Sequence, residues 1–226
     1  PGAAIAQLPT TTTTPTLSTT TLQKVSLEAT GALSLPLDRM RADINNYLAP
    51  PESEELWKQL AADKRWLALV EHCRANGWVR TRDNRRHWGV RSVITEATGT
   101  KVASTIGMWD LERAGSTQPA AILYVKKGTE TYMAYFVFAA GSSDWETASE
   151  WYSDANARVQ VAHSLRKCMA RTLKRFCGPF CVTMLGSCAV AAMASGPFSP
   201  TTFLICLSVS CGSCAVIAMS YCGFAG

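Results

Sequence analysis

The pattern of apolar and polar positions begins with two predicted helices. The first predicted helix is short and amphipathic, ends before Pro50, and has apolar residues at helical spacing: Leu37, Met40, Ile44, Tyr47 and Leu48. Pro50-Pro51 with acidic residues after it predicts the start of a longer helix, and Gly77 predicts its end. The buried face of this second helix is predicted to contain five residues: Leu56, Leu60, Leu67, Val70 and Cys73.

From His87 onward the apolar residues follow the spacing of strands. Four β-rich runs, at 88–94, 101–111, 120–127 and 131–140, are separated by short glycine-containing segments. This hairpin spacing predicts a four-stranded antiparallel meander. Since a preceding helix can cover the apolar face of a meander, the predicted fold class is α+β: a helix packed on a four-stranded antiparallel meander, followed by a Cys-rich helical hairpin.

Helical spacing is predicted to return after the strands. Ser143 and Glu146 form a capping-box pattern, and the predicted helix continues through Trp151 and Tyr152 to Phe176. It is expected to connect the strands to the last part of the chain without a flexible linker.

Residues 177–226 contain no Asp, Glu, Lys or Arg. Two apolar runs, at 180–195 and 202–221, flank the segment 196–200, whose two prolines neither a helix nor a central strand accommodates. These runs predict a helical hairpin that turns at the prolines. Because the hairpin has no charged face, we expect a membrane, a partner or another domain to cover it.

Charge is distributed unevenly along the chain. The formal net charge is +5, and all 17 acidic residues lie at or before Asp154. The basic residues immediately before the uncharged end are expected to bind an anionic membrane surface: Arg166, Lys167, Arg171, Lys174 and Arg175. No base-reading motif of aromatic and basic residues accompanies them, so nucleic acid is not an expected partner.

Composition predicts four segments. Residues 1–34 are rich in Thr and Pro and are expected to form a disordered spacer. Their first residues look like the small-residue end of a signal peptide, and an arbitrary fragment boundary is the alternative. Residues 35–160 are expected to form the α+β domain, 161–176 a basic helical junction, and 177–226 the uncharged helical hairpin.

Eight of the nine cysteines lie beyond residue 167, which is typical of a disulfide framework and indicates an oxidising, extracytoplasmic destination. Zinc is the competing use, because Cys211 and Cys214 have the gap of a zinc knuckle. A tetrahedral zinc site also needs a second close pair, so we expect no metal and no other cofactor.

An antiparallel hairpin places facing positions at equal distances from its turn, here near Pro197. The bonds predicted from the turn outward are Cys188–Cys206, Cys181–Cys214 and Cys177–Cys222. Cys211 is then left to pair with Cys168 or to remain a free thiol.

The cysteine spacing of the chain end can be written Cys177-x3-Cys181-x6-Cys188 and Cys206-x4-Cys211-x2-Cys214-x7-Cys222. Together with the α+β region and the basic junction, this spacing resembles the halocin-like bacteriocin precursors, also described as immunity/bacteriocin fusion proteins. In that family the C-terminal part is released as a disulfide-bonded antimicrobial peptide, and the N-terminal part protects the producer. The resemblance implies an immunity-like region at 35–161 and a peptide within 166–226.

These observations predict a secreted bacteriocin precursor that is cleaved between 161 and 177. Its basic residues would draw the released peptide to anionic lipid, and the uncharged hairpin would disturb the membrane. The N-terminal domain would bind the peptide and provide self-immunity. The alternative is a membrane-tethered extracytoplasmic domain with a C-terminal transmembrane hairpin, for which run 202–221 is long enough and run 180–195 is short.

We do not expect an enzyme. The candidate catalytic residues are scattered over unrelated elements and form no visible constellation: His87, His163, Asp110 and Glu112. A Cys73 and His72 pair is disfavoured as well, because the two residues lie on different faces of one helix.

Overall fold

The computed structural model describes residues 40–139, 148–162, 168, 172–173, 177–194, 198–222 and 224. Within them, an antiparallel sheet lies between two helices on one face and a group of cysteine-rich helices on the other. The predictions for the Thr/Pro-rich spacer at 1–34 and for Ser143 and Glu146 lie outside the described residues.

The described part of the sheet has eight strands, so the predicted four-stranded meander is wrong. The strands are β1 Arg41–Tyr47, β2 Val79–Arg80, β3 His87–Thr95, β4 Lys101–Glu112, β5 Ala120–Lys127, β6 Glu130–Val137, β7 Ser149–Ser153 and β8 Val159–Ala162. They follow the order β1-β3-β4-β5-β6-β7-β8, and every neighbouring pair is antiparallel. Strand β2 pairs with the end of β4 beyond His87, the first residue of β3.

Strand β1 replaces the short helix predicted before Pro50. It pairs with β3, and its register shifts between Ile44 and Asn46. Met40, Ala42 and Ile44 alternate toward the core, and the shift then brings Tyr47 to the same core. The bulge therefore produces the three-residue spacing that resembles a helix in the sequence.

Strands β7 and β8 replace the helix predicted through Trp151 and Tyr152. Trp151 packs with the core on one face of the sheet, and Tyr152 packs with the core on the other, as strand alternation requires. The Asp154 carboxylate accepts the backbone N–H groups of Asn156 (2.8 Å) and Arg158 (2.9 Å) and closes the turn between the strands.

The long helix predicted from Pro50 to Gly77 is two helices, α1 Pro50–Leu60 and α2 Lys64–Ala75. Asp63 ends the continuity because its side chain caps α2 by accepting the N–H of Arg65 (2.8 Å). Because of this break, the buried positions of α2 do not continue the helical spacing of the buried positions of α1. Trp66 and Leu69 are consequently buried, and the predicted core residue Leu67 is 42% exposed.

Helix α3 Gly178–Met193 packs on α4 Pro200–Cys211, and α4 together with α5 Ser213–Cys222 covers the other face of the sheet. The predicted hairpin is therefore a group of three helices in the described residues, because Gly212 breaks the second apolar run with a φ of 55°. We call residues 168–226 the tail and residues 40–162 the sheet domain.

Both faces of the central strands are consequently buried. Along β4, Ile106 and Met108 belong to the core shared with the tail, whereas Trp109 and Leu111 belong to the core shared with α1 and α2. Strand β5 repeats this division, which explains its uninterrupted apolar run 120–125.

Candidate interface between the sheet domain and the tail

The tail and the sheet domain share one apolar core. Helix α4 packs against β3, β4 and β5, and α5 packs against β1, β4 and β5. The sheet contributes Met108, Leu123 and Phe136 to this core, and the tail contributes residues such as Leu207 and Val216, all at most 1% exposed. The protein's own sheet therefore covers part of the uncharged tail.

Eight cysteines of the described chain form four disulfides, all within the tail. The pairs are Cys168–Cys222, Cys177–Cys214, Cys181–Cys211 and Cys188–Cys206, with Cα–Cα distances of 5.3 to 5.6 Å. Such a set of disulfides is typical of extracellular or secreted proteins. The sulfurs of Cys211 and Cys214, which have the spacing of a zinc knuckle, are both used in these bonds.

The innermost bond, Cys188–Cys206, is the one that hairpin geometry predicts, and the remaining pairings differ from the prediction. Cys181 bonds to Cys211 instead of Cys214, and Cys177 bonds to Cys214 instead of Cys222. The four bonds remain nested around the turn, as an antiparallel arrangement requires. The prediction passes over Cys211 as the partner of Cys181, and each outer pair is therefore displaced by one cysteine.

The end of the tail closes back on its beginning. Cys222, which is fully buried, bonds to Cys168, so the bond encloses the other three pairs. The separation between these two cysteines is 54 residues. The tail is therefore one covalently closed unit from residue 168 to residue 222, and the residues that connect it to β8 lie before the first bond.

Asp110 lies at the polar centre of the interface. Its side chain on β4 is fully buried and faces the tail. Ser199 Oγ (2.5 Å), Thr201 Oγ1 (2.5 Å) and the Thr201 backbone N–H (2.9 Å) donate hydrogen bonds to the carboxylate, and Arg86 Nε donates a fourth (2.9 Å). Burial raises the pKa of Asp110, whereas these donors and the Arg86 charge act in the opposite direction.

The local sequence explains how the tail presents these donors. Ser199 is the N-cap of α4, and its Oγ also accepts the backbone N–H of Thr202 (3.1 Å). Pro200 fits the first position of the helix, where its missing N–H costs no hydrogen bond, and the Thr201 N–H has no partner within the first turn and bonds the carboxylate instead. A negative charge at this position also complements the dipole of α4.

Further polar contacts hold the end of α5. Ser220 and Ser104 hydroxyls lie 2.7 Å apart in the core, and Tyr221 donates its hydroxyl to Glu96 (2.6 Å). Lys127 Nζ lies 4.2 Å from the centre of the Tyr221 ring. Burial, followed by the hydrogen bond to Glu96, raises the pKa of Tyr221.

The outer side of the tail exposes apolar side chains to solvent. Phe180 and Val190 on α3 are 63% and 66% exposed, and Val209 on α4 is 65% exposed. In the described residues no helix is long and apolar enough to cross a membrane: α3 has 16 residues, α4 has 12 and α5 has 10.

The predicted membrane-binding residues Arg166, Lys167, Arg171, Lys174 and Arg175 lie outside the described residues. The structure therefore does not place them relative to the tail helices.

The candidate catalytic residues do not form a catalytic arrangement in the described part of the chain. His87 Nε2 faces the carbonyl oxygen of Thr81 (3.1 Å), Asp110 belongs to the interface, and Glu112 is exposed. His163 lies outside the described residues.

The Cys73 and His72 pair is also not arranged for nucleophilic chemistry. Burial raises the pKa of the Cys73 thiol to about 12, which keeps it protonated at neutral pH. His72 Nδ1 instead lies 2.8 Å from the hydroxyl of Tyr135.

Sequence reasoning did not identify the contacts of Asp110, Glu96 and Lys127 with the tail. The signal for Asp110 is a single carboxylate between Trp109 and Leu111 in an apolar strand, since such a charge requires partners when it is buried. The residues that supply most of those partners are about 90 positions away, in a segment with no charges to suggest them.

No protein-family model, curated protein or solved structure matches the chain.

Proposed function

We propose that the protein is a secreted bacteriocin precursor. Its tail is the antimicrobial peptide, and its sheet domain binds that peptide and gives self-immunity. The observation that carries this proposal is the arrangement of the disulfides: all four lie within the tail, and the contacts between tail and sheet domain described above are noncovalent. One cut in the connecting segment would thus separate an intact cross-linked peptide.

The outermost disulfide narrows the expected position of that cut. Cleavage between 168 and 177 would leave the residues before the cut attached to the tail through Cys168–Cys222. Cleavage at 163–167 separates the two parts completely. The freed peptide would carry Arg171, Lys174 and Arg175 as cationic residues, which favour binding to anionic lipid.

Burial of the apolar tail against the sheet supports an inactive precursor. Leu207, Val216 and Met219 are fully buried in the shared core, and they would become available to a membrane only after the tail leaves the sheet. A sheet domain that offers the same surface to free peptide would neutralise it. The peptide would disturb membranes by apolar insertion, without catalysis.

Dye release from vesicles tests this proposal. The oxidised full chain, the isolated oxidised tail and an equimolar mixture of tail and sheet domain are added to vesicles with anionic lipid and to vesicles with neutral lipid only. We expect release by the tail alone, more with anionic lipid, and suppression by the sheet domain. A tail that leaves vesicles and sensitive cells intact, or a full chain as active as its tail, would contradict the proposal.

A further inference from the structure

We propose that the buried carboxylate of Asp110 is the site by which the sheet domain recognises the tail, and that its ligand is the first turn of α4, Ser199-Pro200-Thr201. This inference rests on the proposed function, because it identifies the contact through which the immunity part binds the peptide. The partner is defined by its chemistry: an uncharged helix start that offers two hydroxyl groups and one backbone N–H.

Most hydrogen bonds of the carboxylate come from the tail. One oxygen accepts from Thr201 N and Thr201 Oγ1, and the other accepts from Ser199 Oγ and Arg86 Nε. The sheet domain thus provides one of the four donors, and the tail provides three. Arg86 belongs to the 3-10 turn Asn84–Arg86, which packs beside α4. From this turn its Nε–H bonds the Asp110 carboxylate and orients it toward the tail.

Burial makes this contact selective. Asp110 is fully buried, and Ser199 and Thr201 are 4% and 0% exposed, so water does not replace a missing donor in the complex. A helix start without these hydroxyls would bury a carboxylate with part of its hydrogen bonding unmet. A site that is built around a buried polar group rejects ligands without the matching group much more strongly than an apolar surface does.

The other polar contacts are less suited to recognition. Tyr221 and Glu96 are both only partly buried, so solvent can compensate for the loss of their hydrogen bond. Ser104 and Ser220 are buried but neutral, and bonds between neutral groups are weaker than bonds to a charged acceptor.

Asp110→Asn provides a sharp test, because an amide has nearly the same shape as the carboxylate and cannot accept hydrogen bonds at both ends. One oxygen receives the backbone N–H of Thr201, and the other receives Nε–H of Arg86. Both are donors only, so either orientation of the amide places its NH2 group against an N–H. In the tail, Thr201→Val removes one hydroxyl and keeps the shape and the backbone N–H.

The experiment starts from the full chain, with residues 163–167 replaced by the recognition sequence of a specific protease. The oxidised protein is immobilised through its N-terminus and cleaved, and the dissociation of the tail is followed over time. Asp110→Asn and Thr201→Val are each expected to speed dissociation about tenfold to a hundredfold. The double variant should be little faster than the faster single variant, because both substitutions disturb the same contact.

Glu54→Gln is the matched control. Glu54 forms an ion pair with Arg80 (2.8 Å) on the opposite face of the sheet, so the same change from carboxylate to amide occurs away from the tail. Its dissociation rate should stay within about twofold of wild type. Circular dichroism before cleavage identifies variants that do not fold, and if Asp110→Asn is one of them, Thr201→Val and Ser199→Ala decide the result.

The outcomes separate this inference from the proposed function. If the wild-type tail leaves at once after cleavage, the sheet domain does not retain the peptide and the proposed function fails. If the wild-type tail is retained and the folded Asp110 and Thr201 variants retain it equally well, recognition by Asp110 is wrong while retention stands. Faster release by Glu54→Gln to the same extent would also overturn the inference.

Discussion

Removal of the Cys188–Cys206 bond tests whether the tail and the sheet domain unfold together. Cys188 is fully buried in the shared core, and its bond joins α3 to α4. The two cysteines are 18 residues apart, and a loop of that length contributes about 3 kcal/mol through the entropy of the unfolded chain. The double substitution to Ala is therefore expected to lower the free energy of unfolding by about this amount.

The distribution of tryptophan provides the assay. All seven tryptophans lie at or before Trp151, so their fluorescence reports on the sheet domain and, through Trp88, on the core that it shares with the tail. If the shared core unfolds as one unit, the loss of a bond in the tail must shift the tryptophan transition. With a urea dependence of about 2 to 3 kcal/mol/M, the midpoint should fall by about 1 to 1.5 M.

The control is a pair of separate substitutions on the same two helices. Val190→Ala and Val209→Ala truncate exposed side chains and should change the free energy of unfolding by less than about 0.5 kcal/mol. A main tryptophan transition that stays at the wild-type midpoint, while the helical circular dichroism signal is lost at lower urea, would contradict this expectation. That result would mean that the tail unfolds alone and that the sheet does not depend on it.

Three further predictions concern the sheet domain. Gly107→Ala should destabilise the protein by about 1 to 3 kcal/mol in urea unfolding, because the added Cβ would lie 2.5 Å from the buried ring of Trp109; an unchanged midpoint would contradict this packing. Burial lowers the pKa of His87. Below about pH 6.5 the unfolded chain therefore binds the proton more readily than the folded chain, and the free energy of unfolding decreases as the pH is lowered. Any stability advantage of wild type over His87→Gln should therefore shrink between pH 7 and pH 5, and a constant difference would refute it. Cys73 should react with a thiol reagent only at the rate of unfolding, and rapid labelling of folded protein would show that its thiol is accessible.

Local sequence signals identified several elements because their causes are local. The prolines at 50 and 51 set the start of α1, and Gly77, with a φ of 78°, follows the end of α2. The four apolar runs correspond to β3, β4, β5 and β6, since these strands are long and separated by short turns. The uninterrupted apolar run 120–125 also indicates a strand that is buried on both faces, as β5 is.

Other elements depend on partners that are distant in sequence. Residues 41–47 form a strand because β3 has an edge for them to pair with, and a bulge gives their apolar positions a helical spacing. Residues 149–153 form a strand because β6 offers its edge, and the turn after Asp154 then allows β8 to pair with them. In both segments, pairing with a neighbouring strand outweighs the local helical pattern.

The tail shows the same division between local sequence and tertiary structure. Its uncharged, apolar and cysteine-rich character can be read directly from the residues, and the spacing around the prolines was enough to predict Cys188–Cys206. Tertiary packing was needed for the other three pairs, because it places Cys211 and not Cys214 opposite Cys181 and so displaces each outer pair by one cysteine. It also decided that the sheet covers the tail and that Asp110 meets Ser199 and Thr201, since burial of a charge is possible only where folding brings its donors together.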